Sequence, residues 1–198
     1  MFVVNKQLTP PIIHFWNFEL KLDTEINWST IMLFKFGKLF ENKVKQFNFK
    51  LLHRIIPSRE NLCKWKISVD NMCCICKEKE STKHILLYCK EPKKFWKIVT
   101  NVIFHIFKVE MEMDERILIT GYVISNKQFL TINVLLVLAE YIIYKNYFKK
   151  TSQNNRRISN AATLFNEFKT CVKNYFQWKS KHKDLSREEI YKVLSVVT

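Results

Sequence analysis

Four side chains of the kinds that bind zinc lie close together in this sequence and constrain its fold more than any other feature. They are Cys73, Cys76, His84 and Cys89, in the pattern C-x2-C-x7-H-x4-C. A C-x2-C turn directs two thiolates toward one point, and a short helix after it brings a histidine and a cysteine to the other side. Four protein ligands leave no coordination position for water. The pattern therefore predicts a structural Zn²⁺ that stabilises residues 65–96 and takes no part in catalysis.

The remaining cysteines leave one alternative for the ligand set. Cys74 can replace Cys73, which gives the less usual C-x-C spacing. A redox-active thiol pair would need a strand–helix–strand setting, which the surrounding residues do not predict. Cys63 and Cys171 stand apart from the cluster, and we expect them to pack as small hydrophobic side chains.

The cellular location is predicted from the cysteines and the N-terminus. The six cysteines are not spaced as a disulfide framework, and residues 1–6 lack the basic-then-apolar layout of a signal peptide. We therefore expect an intracellular protein of the nucleus or cytoplasm that is not secreted.

Apolar residues recur at helical spacing along most of the chain, which contains only two glycines, Gly37 and Gly121. Without clustered glycines, neither a dinucleotide-binding G-x-G-x-x-G turn nor a P-loop can form. We therefore expect a mainly α fold, a helical domain with one embedded CCHC zinc knuckle and little or no sheet. Three parts are predicted: an N-terminal flank over 1–37, a helical CCHC zinc-binding module over 38–109, and a basic C-terminal helical region over 110–198.

Periodicity and capping residues predict the helices of the zinc-binding module. One amphipathic helix is predicted over 38–56, because Pro57 cannot continue it. Ser58 is the predicted N-cap of a short helix, after which residues 66–71 form a loop. A helix that carries His84 begins at Ser81 or Thr82, and Glu91-Pro92 opens the next one.

In the C-terminal region, residues 117–119 are the one segment that predicts a strand, after the acidic connector 110–115. The connector lacks histidine, so we interpret it as solvated and not as a metal site. The most apolar stretch, 129–144, is too short and too polar to span a bilayer and predicts a buried helix. Ser125 with Gln128 and Ser186 with Glu189 are predicted capping boxes, each at the start of a helix. Residues 154–160 form a polar joint. The helix after this joint is predicted from apolar residues at helical spacing: Leu164, Phe165, Phe168, Val172, Tyr175 and Trp178.

The positive charge is concentrated in two stretches of the chain. The net charge is +15, and residues 43–66 and 145–183 together account for all of it. Such an excess predicts a polyanionic partner, RNA or DNA in preference to an anionic membrane, although lysines that merely solvate a helix face are the alternative. The predicted phosphate contacts are Lys43, Lys45, Lys50, Arg54, Arg59, Lys64, Lys149, Lys150, Arg156 and Arg157.

Aromatic residues are interleaved with both basic stretches. Phe47, Phe49, Trp65, Tyr175 and Trp178 lie among the lysines and arginines. Aromatic rings beside basic side chains suit the stacking of unpaired bases. The same residues also fall at core spacing, so burial is the competing interpretation.

One run of the sequence resembles a known family. Residues 46–62 (QFNFKLLHRIIPSRENL), the following Trp65-Lys66-Ile67, the four Cys and His residues, and Phe95-Trp96 are similar to the reverse-transcriptase zinc-binding domain. The similarity covers residues 44–97, with Cys74 where the family often has proline. It implies zinc ligands at Cys73, Cys76, His84 and Cys89. It also implies a nucleic-acid-handling role beside the polymerase of a LINE-type non-LTR retrotransposon, in target-primed reverse transcription.

The sequence lacks the residues that polymerase chemistry needs. The family's polymerases carry a Tyr-x-Asp-Asp sequence for two metal ions, whereas the aspartates here stand singly at Asp23, Asp70, Asp114 and Asp184. We therefore expect a non-catalytic, zinc-stabilised module that binds element RNA or target DNA. The alternative is a structural or protein-interaction module that docks the polymerase or another acidic protein. No membrane partner is expected.

Overall fold

The structure, a computed structural model, describes residues 11–22, 26–122, 127–149 and 159–180, together with residues 193 and 195. These residues form eight α-helices and one π-helix, and no strand lies among them. Met72 and Lys79 form one isolated antiparallel bridge. The predicted mainly α fold is confirmed. The helices are α1 Pro11–Glu19, α2 Trp28–Phe36, α3 Asn42–Leu52, α4 Arg59–Lys64, the π-helix His84–Tyr88, α5 Lys90–Phe107, α6 Glu115–Thr120, α7 Lys127–Tyr147 and α8 Ala161–Ser180.

The two N-terminal helices lie in the segment for which the sequence predicted only a flank. Both use a buried tryptophan to join their neighbours. Trp16 of α1 donates its indole N–H to the carbonyl of Leu52 at the end of α3 (2.8 Å), and Trp28 of α2 donates to Asn17 Oδ1 (2.7 Å). Because burying an indole requires a hydrogen-bond acceptor, these bonds fix α1 and α2 on the core.

The helix predicted over 38–56 is shorter in the structure. It begins at Asn42 and ends at Leu52, well before Pro57. Arg54 then adopts a left-handed backbone conformation (φ 60°), which ends the helical path. Asn61 of α4 holds the resulting turn, because its side-chain amide donates to the carbonyls of Arg54 and Ile56. A side chain of the next helix thus holds the turn that ends α3 earlier than the proline would.

Two predicted N-caps are confirmed. The Ser58 hydroxyl accepts from the backbone N–H of Asn61 and begins α4. The Ser81 hydroxyl accepts from the backbone N–H of His84 at 3.0 Å. The helix that carries His84 is a π-helix, five residues long, and α5 follows directly at Lys90. π-Helices are rare and often lie at functional sites.

The strand predicted at 117–119 is wrong, because these residues lie inside α6. The Asp114 carboxylate accepts from the backbone N–H of Ile117 at 2.7 Å and so caps the helix. Leu118 and Ile119 are buried in the core, whereas Ile117 is half-buried. The cap and this packing outweigh the strand preference of the two isoleucines.

Helix α7 is the central helix of the core. Every residue from 131 to 140 is buried, and α7 contacts α3, α5, α6, α8 and the π-helix. The predicted buried helix is therefore confirmed. Among the described residues, no helix is both long and apolar enough to cross a membrane. The predicted caps at Ser125 and at Ser186 with Glu189, and the joint at 154–158, lie outside the described residues.

Candidate metal centre and basic surfaces

The four predicted ligand side chains come together in the structure. Their ligand atoms all lie within 4.8 Å of one another. Cys73 Sγ is 3.8 Å from Cys89 Sγ, and Cys76 Sγ is 3.1 Å from His84 Nε2. Sulfur atoms about 3.8 Å apart are what a tetrahedral site with Zn–S bonds of about 2.3 Å requires. The donor set, three thiols and one imidazole, matches structural zinc sites, so the cluster is suited to hold a metal ion.

A tight loop positions the first two cysteines. The N–H of Cys73 donates to the carbonyl of Glu78 (2.7 Å), and the N–H of Lys77 donates back to the carbonyl of Cys73 (3.0 Å). Lys77 has a positive φ of 61°, which lets the chain reverse within the loop. The N–H of Ile75 donates to Cys73 Sγ at 3.4 Å. These bonds hold the Cys73 sulfur in place at the start of the loop.

The π-helix positions the other two ligands. His84 begins it, and Cys89 follows its last residue, with the N–H of Cys89 donating to the carbonyl of His84 at 2.8 Å. The imidazole Nδ1 of His84 lies 3.4 Å from a carboxylate oxygen of Glu78, on the side opposite the thiols. A carboxylate at the outer ring nitrogen orients a histidine and leaves Nε2 for the metal.

Burial shifts the pKa of three of the four candidate ligands. It raises the pKa of the Cys76 thiol and that of the Cys89 thiol, which neighbouring thiols raise further. It lowers the pKa of His84, against the opposing charges of Glu78 and Glu80, so the imidazole is neutral at pH 7. A neutral imidazole is ready to bind a cation, whereas the thiols must lose protons when a metal binds.

The other cysteines lie outside this cluster. Cys73 is 1% exposed, whereas its neighbour Cys74 is exposed at the surface. This arrangement favours the C-x2-C register over the C-x-C alternative. Cys63 and Cys171 are half-buried. Burial raises the pKa of Cys171 to about 11, so this thiol is protonated at neutral pH.

Glu80, a buried carboxylate that the sequence analysis did not single out, connects the segment that carries the four candidate ligands to α4 and α7. Glu80 is 1% exposed and lies between the C-x2-C loop and the π-helix. Its Oε1 accepts from the backbone N–H of Arg59 (3.1 Å) and from the hydroxyl of Tyr147 at the end of α7. The Arg59 guanidinium lies 3.8 Å from its other oxygen. No local pattern signals this role, because Tyr147 is far away in the sequence.

Most of the predicted phosphate contacts that the structure describes have partners within the chain. Arg59 pairs with Asp70 and Glu80, Lys64 with Glu60, and Lys149 with Glu167. The Arg54 guanidinium lies over the Phe15 ring, and Lys50 donates to the Tyr144 hydroxyl. Lys43 is exposed and Lys45 is half-buried, whereas Lys150, Arg156 and Arg157 lie outside the described residues.

The predicted stacking aromatics divide into core and surface residues. Phe47 is buried and packs against the rings of Tyr141 and Tyr144, so it belongs to the core. Tyr175 is half-buried, and the rings of Phe49, Trp65 and Trp178 are 44–48% exposed. Three of the five predicted aromatics therefore present substantial surface.

Comparison with known proteins agrees with the geometry. Residues 12–96 match the family model described as zinc-binding in reverse transcriptase, and the match includes all four side chains of the cluster. This confirms the resemblance inferred from the sequence. The family is an accessory zinc-binding region of reverse transcriptase and not its catalytic domain. No curated protein and no solved structure matches the chain.

Proposed function

Because residues 12–96 match this zinc-binding family of reverse transcriptases, we propose that the chain is a zinc-stabilised, non-catalytic module that binds element RNA or target DNA. The single observation that carries the proposal is the Cys73, Cys76, His84 and Cys89 cluster inside that match. A bound Zn²⁺ would supply a cross-link among these four side chains. We place the module in the C-terminal region of a LINE-type non-LTR retrotransposon polyprotein, next to the polymerase.

The residues around the cluster support a structural role for the metal. The C-x2-C loop and the π-helix are held by their own backbone bonds and by Glu80, so the metal cluster is joined to α4 and α7. Arg59, at the start of α4, is positioned by the same carboxylate. Metal binding at this point thus stabilises the part of the surface that carries the first basic stretch.

Nucleic-acid binding is supported by charge. Both basic stretches present exposed lysines in the described structure, among them Lys43 and Lys64 in the first and Lys145 and Lys149 in the second. Several of these lysines pair with glutamates at the surface, and exposed ion pairs are weak. A phosphate can therefore replace the glutamate as the partner of such a lysine.

The test is the salt dependence of binding. Purified protein, with its zinc content measured, is titrated into labelled single-stranded RNA, single-stranded DNA and duplex at increasing KCl, and the affinity is followed by fluorescence anisotropy. If five to seven basic side chains contact phosphates, the log–log slope is about −4 to −6. The double substitution Arg156→Glu/Arg157→Glu should reduce that slope by about one to two, and the control Lys93→Glu/Lys97→Glu on α5 should leave it within about half a unit. An affinity independent of salt would contradict the proposal.

One observation favours the second candidate function, docking of the polymerase or another protein. Four apolar side chains next to the C-x2-C loop are exposed to solvent, namely Trp65, Ile67, Val69 and Met72. Clusters of exposed apolar side chains often mark protein interfaces. The substitution pair Ile67→Ser/Val69→Ser should weaken binding to a purified polymerase domain and leave the salt slope for RNA unchanged.

A further inference from the structure

We propose that the groove between α3, α7 and α8 binds an unpaired nucleobase of a single strand, with the flanking phosphates on its lysine rim. The groove has a volume of about 710 Å³. It is lined by residues of the turn before α3, of α3 itself, of α7 and of α8, so its shape depends on the packing of three helices. This inference rests on the proposed nucleic-acid binding and assigns it a specific site.

The groove brings together the two basic stretches of the sequence. Lys43 of α3 comes from the first stretch, and Lys145 of α7 and Lys149, two residues beyond the end of α7, come from the second. The three side chains are exposed. The ammonium groups of Lys145 and Lys149 lie on the same side of the groove, because both are within 3.8 Å of the Glu167 carboxylate. One strand of nucleic acid can contact both stretches at this groove.

Aromatic side chains line the same groove. Tyr141 of α7 and Tyr175 of α8 are half-buried in its wall, and Trp178 of α8 is 46% exposed. The Tyr175 ring packs against Phe40, with centroids 6.3 Å apart, so the wall continues into the core. Stacking on a fixed aromatic wall does not depend on the identity of the base, which suits a single strand of any sequence.

The carboxylates of the groove do not cancel its charge. Glu167 is the partner of both Lys145 (3.5 Å) and Lys149 (3.8 Å), and the two lysine side chains are 53% and 66% exposed. Glu167 is 26% exposed and also accepts from the Asn146 amide, but both ammonium groups face solvent, so a phosphate can compete for either of them. With Glu41 included, three lysines face two carboxylates, and the groove is positive.

The groove is large enough for a single unpaired base but too small for a duplex. Sites for small molecules measure about 300–1,000 Å³, so this groove takes a base and not a double helix. The carboxylates of an acidic peptide could pair with the lysines, but such a peptide has no base to stack on the aromatic side chains of the wall. The combination of a basic rim and an aromatic wall therefore points to single-stranded nucleic acid.

Two substitutions, each with a matched control, test the groove in the full chain. Trp178→Ala removes an exposed ring, and Phe104→Ala on α5 is its control, because both rings are exposed and lie beside a lysine ammonium. Lys145→Gln/Lys149→Gln removes two rim charges, and Lys93→Gln/Lys97→Gln has the same spacing on α5. Each variant is compared with the wild type by circular dichroism and is titrated with an oligouridylate of about 12 nucleotides.

We expect Trp178→Ala to weaken binding at least about fivefold and Phe104→Ala to change it less than about twofold. The lysine pair should flatten the salt slope by about 1.4, and its control should not. Photo-cross-linking of an oligonucleotide that contains 4-thiouridine should map to peptides with Tyr141, Tyr175 or Trp178. A duplex of equal length should compete at least tenfold more weakly.

Other results overturn the proposal in distinguishable ways. If the oligonucleotide binds with an ordinary salt slope but cross-links to residues 65–72, and neither groove variant differs from its control, the groove assignment fails and the proposed function stands. If a polyglutamate displaces the oligonucleotide more strongly than a competing single strand does, the groove is a protein site. If no nucleic acid binds, the assignment and the proposed function fail together.

Discussion

At the scale of single residues, the metal cluster distinguishes Cys76 from its exposed neighbour Cys74. Cys76 Sγ faces His84 Nε2, whereas Cys74 Sγ does not belong to the group of four ligand atoms. We expect Cys76→Ser to reduce bound zinc below about half an equivalent, because a hydroxyl is a poor zinc ligand beside thiolates. Cys74→Ser should keep one equivalent. The measurement is zinc content by mass spectrometry after gel filtration. Loss of zinc in Cys74→Ser together with its retention in Cys73→Ser would assign the C-x-C register instead, in which Cys76 remains a ligand.

Glu80 provides a second prediction at this scale. Its carboxylate is buried against Arg59 and Tyr147, whereas Asp70, the other partner of Arg59, is 54% exposed. Hydrogen bonds to buried charges contribute about 1.5–3 kcal/mol, whereas exposed ion pairs contribute about 0–1 kcal/mol. We expect Glu80→Gln to lower the free energy of unfolding by about 2 kcal/mol and Asp70→Asn by less than about 1 kcal/mol. Urea denaturation of both variants measures the difference, and equal losses would contradict the assigned role of Glu80.

At the scale of elements, α6 shows how a side-chain cap decides between a helix and a strand. Removing the Asp114 carboxylate leaves the N–H of Ile117 without its present acceptor. We expect Asp114→Ala to lower the free energy of unfolding by about 1 kcal/mol, the usual effect of losing an N-cap. Glu112→Ala is the control, because Glu112 is an exposed residue of the same acidic connector. If chemical denaturation gave the two variants the same stability, the cap would not determine α6.

At the scale of the whole molecule, one buried ion pair connects helices that are distant in the sequence. Lys35 of α2 lies 3.8 Å from Glu140 of α7 and donates to the carbonyl of Leu118 in α6. Both charged side chains are 1% exposed. Burial raises the pKa of Glu140 to about 7, against the opposing effect of the Lys35 ammonium.

This raised pKa predicts a pH dependence of stability. The unfolded value is 4.5, so between pH 4.5 and about 7 the folded chain binds more protons at Glu140 than the unfolded chain does. Stability from this group is present at low pH and is lost as the pH rises through about 7. Glu140→Gln cannot titrate. We therefore expect the stability of the wild type, relative to Glu140→Gln, to fall by about 1–3 kcal/mol between pH 5 and pH 8.

Urea denaturation at a series of pH values measures this difference. Titrating groups that do not contact Glu140 are common to the two proteins, so their contributions cancel in the comparison. A difference that stays constant with pH, or that rises, would show that Glu140 does not titrate in this range.

The sequence by itself determined the features that depend on residues close together along the chain. The ligands Cys73, Cys76, His84 and Cys89 were predictable because their spacing alone forms the turn and the short helix that zinc needs. The caps at Ser58 and Ser81 were predictable for the same reason, since each hydroxyl bonds an N–H three residues away. The buried helix 129–144 followed from its apolar composition.

Only the tertiary structure decided the features that depend on how helices pack. The contact of Glu80 with Tyr147, the pair of Lys35 with Glu140, and the groove that joins Lys43 to Lys145 each connect residues far apart in the sequence. Burial of Leu118 and Ile119 in the core also adds to the Asp114 cap that makes residues 117–119 helical. A local pattern records the preference of a segment. Where helix and strand have similar local free energies, the contacts that the segment makes in the packed core favour one of them.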